Sequence, residues 1–164
     1  MDYKVLKGRI LLRLDRGEEL LSNVIGICEK EGVHSALFHG IGAFGSVCIA
    51  TYIPETESFL DHKKSGLLEL ISLDGNISHE DDGRIFEHTH AVFSFLNEKE
   101  SPVCFGGHLK KAVVSYTAEI EITPIRGEGI GRMVDPVTGI IVWKLNELFV
   151  EGQTQITSVR LPDC

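Results

Sequence analysis

Three histidines are the side chains in this sequence whose type and spacing best suit chemistry. His88 and His90 occupy alternate positions of a strand-like run, so both should project from the same face of a sheet. His108 follows Gly106-Gly107, where the backbone can turn tightly and approach another strand closely. Three neutral imidazoles that converge form a typical transition-metal site, and three protein ligands leave one coordination position open. The spacing fits equally a half-exposed pair of strand histidines that binds no metal.

Two glycine patterns lack the context that would make them phosphate sites. Gly40-Ile-Gly42-Ala-Phe-Gly45 matches the dinucleotide-binding pattern G-x-G-x-x-G, but the β-like run 47–53 follows it where a phosphate-binding helix would begin. We interpret these glycines as part of a strand-to-strand turn or a β-bulge. Gly127, Gly129 and Gly131 are not followed by the Lys-Ser/Thr pair of a phosphate loop.

The cysteines Cys28, Cys48, Cys104 and Cys164 form no C-x-x-C pair. We therefore expect reduced thiols that behave as small apolar side chains, and no disulfide framework. Cys104 lies just before Gly106-Gly107-His108 and is the cysteine that could add a further ligand to a metal site.

Charge and composition narrow the class of protein. The 164 residues carry a net charge of −8, which argues against free-standing nucleic-acid binding because phosphate contacts need clustered Lys and Arg. No apolar run approaches the roughly 20 residues that cross a membrane. The N-terminal residues 1–7 lack the apolar core of a signal peptide. We expect a single cytoplasmic domain with no membrane partner.

One helix and a series of strands must position the histidines. Residues 3–14 are predicted as a strand, and acidic residues within 15–19 begin a helix that ends at Gly32. Apolar residues at helical spacing form its predicted buried face: Leu20, Leu21, Val24, Ile25 and Cys28.

The rest of the sequence alternates strand-like runs with polar turns. The predicted strands are 33–41, 46–53, 67–73, 85–96, 112–122 and 140–143. Polar loops are predicted at 54–64 and 78–84, and turns at Asp74-Gly75-Asn76 and 135–139. One helix among many strands predicts an α+β fold, a single domain with a mainly antiparallel β-sheet and one main α-helix.

Several motifs occur in a recognisable order along the chain. They are Leu14-Asp15-Arg16-Gly17-Glu18-Glu19-Leu20, Gly40-Ile-Gly42-Ala43 with Tyr52 beyond it, the run from Gly66 to Ile77, His88-Thr89-His90, Gly106-Gly107-His108-Leu109, and the strand through Glu119-Ile120. In this order they resemble the PPC (plants and prokaryotes conserved) domain family, in its stand-alone prokaryotic form. The resemblance covers residues 3–123, and residues 124–164 are expected to form a C-terminal extension packed on the same domain.

The resemblance implies a compact α+β domain, a homotrimer, and zinc or another divalent transition metal at His88, His90 and His108. It also carries the family's DNA-binding label, because plant members place the domain behind AT-hooks. This chain has no Arg-Gly-Arg-Pro core of an AT-hook, and Leu67 stands where plant members commonly have Arg. Both departures weaken a transfer of the plant regulatory role.

Three hypotheses about function follow from these residues. The first is a metal protein whose open coordination position takes a small molecule, with Glu69 as candidate acid–base or metal-supporting residue; Glu69 fits equally a solvent-facing sheet carboxylate. The second is a DNA-associated regulatory module, and the third is a trimeric scaffold with structural histidines. The sequence leaves open whether the protein is an enzyme.

Overall fold

The structure, a computed structural model, describes residues 1–127 and 129–145. Its elements are β1 (Asp2–Leu6), β2 (Arg9–Asp15), α1 (Leu20–Lys30), β3 (Ala36–Ile53), a 3₁₀ helix (Pro54–Thr56), β4 (Ser58–His79), β5 (Ile85–Leu96), β6 (Pro102–Pro124), β7 (Gly131–Val134) and β8 (Ile141–Lys144). This part of the chain is mainly antiparallel β-sheet with one α-helix, in agreement with the predicted α+β class. Residues 146–164, which include Cys164, lie outside it.

Four long strands form a closed circuit of antiparallel pairing. β3 pairs with β4 and with β6, and β5 pairs with the same two strands. The rings of Phe44 and Phe93 meet edge to face in the buried core, with centroids 5.7 Å apart. β2 and β1 extend the sheet beyond the C-terminal half of β6. The circuit matters for function because it fixes β5 between β4 and β6.

The helix α1 covers the apolar side of this sheet. Glu19 begins it, because its carboxylate accepts from the backbone nitrogen of Ser22 at 2.8 Å and from that of Ala112 in β6 at 3.0 Å. The acidic residues before Leu20 precede the helix rather than forming its first turn. Its buried residues are Leu20, Leu21, Val24, Ile27 and Cys28, so Ile27 takes the place predicted for Ile25.

The predicted turn at Asp74-Gly75-Asn76 was wrong, because all three residues lie inside β4. Position 75 requires glycine, because a Cβ there would lie 2.1 Å from the ring of the buried Phe38. The predicted loop at 54–64 is also too long, since β4 already begins at Ser58. Strands of this length bend through β-bulges, and the Gly40–Gly45 run lies at two register shifts of β3.

The chain after β6 returns to the edge of β4. β7 makes one parallel bridge there, between Gly131 and His79, and then pairs with β8 as a hairpin. The turn predicted at 135–139 joins them, and the Thr138 hydroxyl donates to the Asp135 carboxylate at 2.7 Å. The division into a domain of residues 3–123 and an extension of residues 124–164 stays a prediction. Within the described residues, no helix combines the length and apolar character that a membrane crossing requires.

Candidate metal centre

Two of the three histidines owe their position to the alternation of β5. Thr89 and Ala91 point into the core and are buried, so His88 and His90 project from the opposite face. His108 joins them from β6, where it is the direct cross-strand partner of His90. The three imidazoles therefore meet because β5 forms over the predicted residues 85–96 and pairs with β6.

Gly106 and Gly107 allow β6 to reach this position. A Cβ at Gly106 would lie 2.6 Å from the carbonyl oxygen of Ala91 in β5, and one at Gly107 would lie 2.8 Å from that of Ala50 in β3. Real side chains do not occupy such distances, so only glycine permits this close approach. His108 pairs with Ala50 as well as with His90, so the same approach sets the position of its ring.

The three imidazoles are arranged as a potential ligand set. One ring nitrogen from each lies within 4.8 Å of the others. The ring centroids are 5.1 Å apart for His88 with His90, 5.1 Å for His88 with His108, and 5.5 Å for His90 with His108. Bonds from zinc to imidazole nitrogen are about 2.0–2.1 Å long, so the three rings would draw closer together around an ion.

The electrostatic surroundings of His88 and His108 favour the neutral form of their imidazoles. Burial lowers the pKa of His88, and the neighbouring His108, His90 and Arg132 lower it further. Burial also lowers the pKa of His108, with smaller effects from His90 and Lys110. Because the ordinary imidazole pKa is about 6.5, both rings are neutral at pH 7. Neutral imidazole is the form that binds metal ions.

A cavity of about 770 Å³ opens beside the three histidines. Phe59, Phe86, Ile140 and Ile141 contribute apolar walls. The Phe59 ring lies 5.6 Å from the His108 ring and 5.3 Å from the Tyr52 ring, centroid to centroid, so aromatic contacts hold it in place. A small molecule in this cavity would touch the imidazoles and the aromatic walls together.

The β7–β8 hairpin supplies one wall of the cavity and is anchored to the sheet by Asn76. The buried guanidinium of Arg132 donates to the Asn76 side-chain oxygen and, at 2.7 Å, to the Ser78 hydroxyl. The Trp143 indole donates to the same Asn76 oxygen at 3.1 Å. Arg132 also lies over the Phe86 ring, 4.5 Å from its centroid. Asn76 pairs with His88 across the strands, so the anchor adjoins the histidines.

The other candidate residues lie elsewhere. Glu69 is exposed and pairs with Ser94. Ser94 lies four residues from His90 along β5, a separation of about 13 Å. It does not line the cavity, and neither does Cys104, which is exposed on β6. Four histidines also lie outside the cluster within the described residues: His34, His39, His62 and His79.

Several residues in the site, or beneath it on the inner side of β5, were not predicted from the sequence. Phe59 falls in the loop predicted at 54–64. Ile140 follows the turn predicted at 135–139, and no local sequence pattern shows that this segment lies against the histidines. Glu87 is half-buried on the opposite side of β5, where the Thr89 hydroxyl donates to its carboxylate. Burial raises the pKa of Glu87, and the hydrogen bond from Thr89 partly offsets this effect. Strict alternation around His88 and His90 was the available signal for its inward position.

Comparison with known proteins identifies the family. The Plants and Prokaryotes Conserved (PCC) domain, the family abbreviated PPC above, matches residues 1–126. The chain belongs to this family. The PPC match contains all three histidines and ends before the β7–β8 hairpin. No curated protein sequence matches the chain.

Solved structures extend the similarity. A PPC protein from Pyrococcus horikoshii is 34% identical, covers 90% of this chain and 97% of its own, and superposes with a TM-score of 0.72. A metal-containing protein from Archaeoglobus fulgidus is 33% identical, with coverage of 87% and 96% and a TM-score of 0.73. A Bacteroides thetaiotaomicron protein whose name suggests DNA binding is 22% identical, with coverage of 89% and 98% and a TM-score of 0.78. This last likeness supports the fold alone.

Proposed function

We propose that this PPC protein binds a divalent transition metal, with zinc as the first candidate, through His88, His90 and His108. The observation that carries the proposal is the convergence of three ring nitrogens within 4.8 Å. The donor set fits the metal, because neutral imidazole is a preferred ligand of zinc and its neighbours in the first transition row. The name of the Archaeoglobus structure, a metal-containing protein at 33% identity, agrees with it.

Three protein ligands leave a coordination position for a small molecule at the cavity. A bound zinc ion supplies Lewis acidity and lowers the pKa of a coordinated water to about 7. The chain's own contribution is to favour the neutral form of His88 and His108 and to place Phe59 and Phe86 beside the three histidines. The acid–base role of Glu69 stays a prediction, and a substrate that reaches it from the histidines would have to extend along the sheet.

Metal analysis of protein purified without a histidine tag tests the proposal. We expect one zinc ion per chain after dialysis, and its loss in His88→Ala, His90→Ala and His108→Ala. His62→Ala is the matched control, because His62 is exposed on β4 and lies outside the cluster. Glu69→Gln should retain the metal. Stoichiometric metal that survives His88→Ala, or its absence from the unaltered protein, would overturn the assignment.

We also propose that the chain forms a homotrimer, as the family resemblance implies. The outer face of the sheet supports self-association, because it leaves apolar side chains such as Ile41 and Ile71 exposed at 59% and 54%. Light scattering with size-exclusion chromatography should give three times the chain mass. Ile41→Lys should reduce this mass, whereas Val137→Lys, at a position 90% exposed on the β7–β8 turn, should not.

DNA binding remains the alternative, and a cytoplasmic location remains a prediction. The DNA-binding label of the family favours this alternative, while the net charge of −8 opposes it. A duplex-binding assay at low salt separates the two functions, because charge-driven contacts are strongest there. Absence of binding at low salt would remove the alternative.

A further inference from the structure

We infer that the cavity beside the histidines takes a small organic anion with an aromatic body, its anionic group at the histidines and its body against Phe59, Phe86 and Ile140. The inference rests on the proposed metal site. It adds the class of ligand and assigns the β7–β8 hairpin a part in selecting it.

The size and composition of the cavity indicate a small organic molecule. Its volume of about 770 Å³ falls in the usual range for ligand sites, roughly 300–1,000 Å³. The lining combines aromatic, aliphatic and glycine residues with the three histidines and with a few other polar side chains, namely Thr51, Glu57 and Thr138. Such a site binds the body of a ligand by contact and fixes its orientation through the few polar groups.

The charges around the cavity indicate how an anion would be held. Among the described residues that line it, none is Lys or Arg, and Glu57 is the carboxylate. Two cations lie nearby: Arg132 is engaged with Asn76, Ser78 and the Phe86 ring, and Lys110, which lies close to His108, is paired with Asp61 at 2.8 Å. Positive charge for an anionic group would therefore come from a metal ion held by the three histidines. This predicts that anion binding at the cavity depends strictly on the metal.

The walls favour a flat aromatic body. Phe59 is held between the rings of Tyr52 and His108, and Phe86 is held under the Arg132 guanidinium. Aromatic walls fixed in this way lose little freedom when a ring stacks on them. Ile140 belongs to the hairpin that Arg132 and Trp143 tie to Asn76, and its side chain is still 51% exposed.

Calorimetric titration of the metal-loaded, tag-free protein with benzohydroxamate and acetohydroxamate tests the inference. Both probes present the same metal-binding hydroxamate group, but benzohydroxamate carries a phenyl group where acetohydroxamate carries a methyl group. We expect benzohydroxamate to bind at least about tenfold more tightly, since a buried phenyl group removes much more apolar surface from water than a methyl group. Neither probe should bind the metal-stripped protein.

Variants on the hairpin distinguish the contribution of the cavity walls to ligand affinity from that of the metal. Ile140→Ser should weaken the binding of benzohydroxamate several-fold and leave the affinity for acetohydroxamate unchanged. Because each probe is compared between the unaltered protein and the variant, any difference in the intrinsic metal affinity of the two hydroxamates cancels. Val137→Ser, on the same hairpin but outside the cavity lining, should change neither affinity.

Metal content is measured on every sample. Absence of metal overturns the proposed function and this inference together. Bound metal with equal affinities for both probes, or an Ile140→Ser effect on both probes alike, overturns the inference alone.

Discussion

Two pairs of glycines bring strands into close contact in this molecule. In β3, a Cβ at Gly40 would lie 2.5 Å from the Glu119 carbonyl oxygen, and one at Gly42 would lie 2.7 Å from the Cα of Ala118. Gly106 and Gly107 in β6 face backbone oxygens of β5 and β3 at similar distances of 2.6 Å and 2.8 Å. Both pairs serve the same physical purpose, since removal of the side chain lets two backbones approach.

The two pairs differ in what lies beside them. Gly42 packs against Ala118 in the apolar core, whereas Gly107 adjoins His108 and, through the pairing with β5, His90. The first pair belongs to a literal nucleotide-binding pattern and serves packing, while the second belongs to no such pattern and adjoins the candidate metal centre. Chemistry therefore follows from the neighbouring side chains and not from the glycine spacing.

The largest expected effect comes from Gly42→Ala, which tests whether the first pair is purely structural. The added methyl would contact the Ala118 backbone and the Thr117 carbonyl oxygen, so β3 and β6 must separate. We expect a loss of about 3 kcal/mol in the free energy of unfolding, or roughly 10 °C in Tm, with zinc stoichiometry unchanged. Thermal unfolding and metal analysis measure both quantities.

Gly45→Ala is the matched control for this substitution. It lies in the same β3 run, but its Cβ would be 3.5 Å from the nearest atom, the Ser115 Cβ, which is an ordinary contact. Equal destabilisation by Gly42→Ala and Gly45→Ala would contradict the role given to the close approach.

The sequence could predict the parts of the site that depend on local pattern. Alternation placed His88 and His90 on one face, and helical spacing identified α1, because burial of one face imposes these periods directly. The convergence of His108 could be proposed because Gly106-Gly107 precedes it. Its direct pairing with His90 depends on the register of β5 with β6, which no single segment encodes.

Long-range packing explains the predictions that were wrong. Asp74-Gly75-Asn76 has the composition of a turn, but the Phe38 ring fills the space beside Gly75 and keeps β4 extended. Phe59 and Ile140 reach the cavity only because β4 and the β7–β8 hairpin meet around the histidines. These contacts join residues far apart in sequence, so local propensity carries no signal for them.

Gly107→Ala is expected to have the next largest effect, and it tests whether the second pair serves the metal. Its methyl would press on the Ala50 carbonyl oxygen and displace His108, the cross-strand partner of Ala50. We expect a loss of about 2 kcal/mol in stability. We also expect zinc affinity to fall at least about tenfold, since a displaced ligand weakens coordination. A chelator competition titration measures the affinity.

The comparison with Gly42→Ala makes this result specific. Zinc should raise the Tm of Gly42→Ala as much as that of the unaltered protein, because ligand binding to the folded state stabilises it. It should raise the Tm of Gly107→Ala much less. Undiminished zinc affinity in Gly107→Ala would show that the two glycine pairs serve packing alike.

The smallest expected effect, with the opposite sign, is at Gly26 in α1, which provides a reference for both pairs. The residue lies in the helix interior, and apart from its chain neighbours and the backbone of its own helix no atom of the described residues would lie within 4 Å of a Cβ at this position. Gly26→Ala should therefore stabilise the protein by about 0.5–1 kcal/mol, because alanine loses less backbone entropy on folding. Thermal unfolding should give a Tm higher by roughly 2–3 °C. If Gly26→Ala instead destabilised the protein as Gly42→Ala does, contact with a facing strand could not explain the cost at either glycine pair.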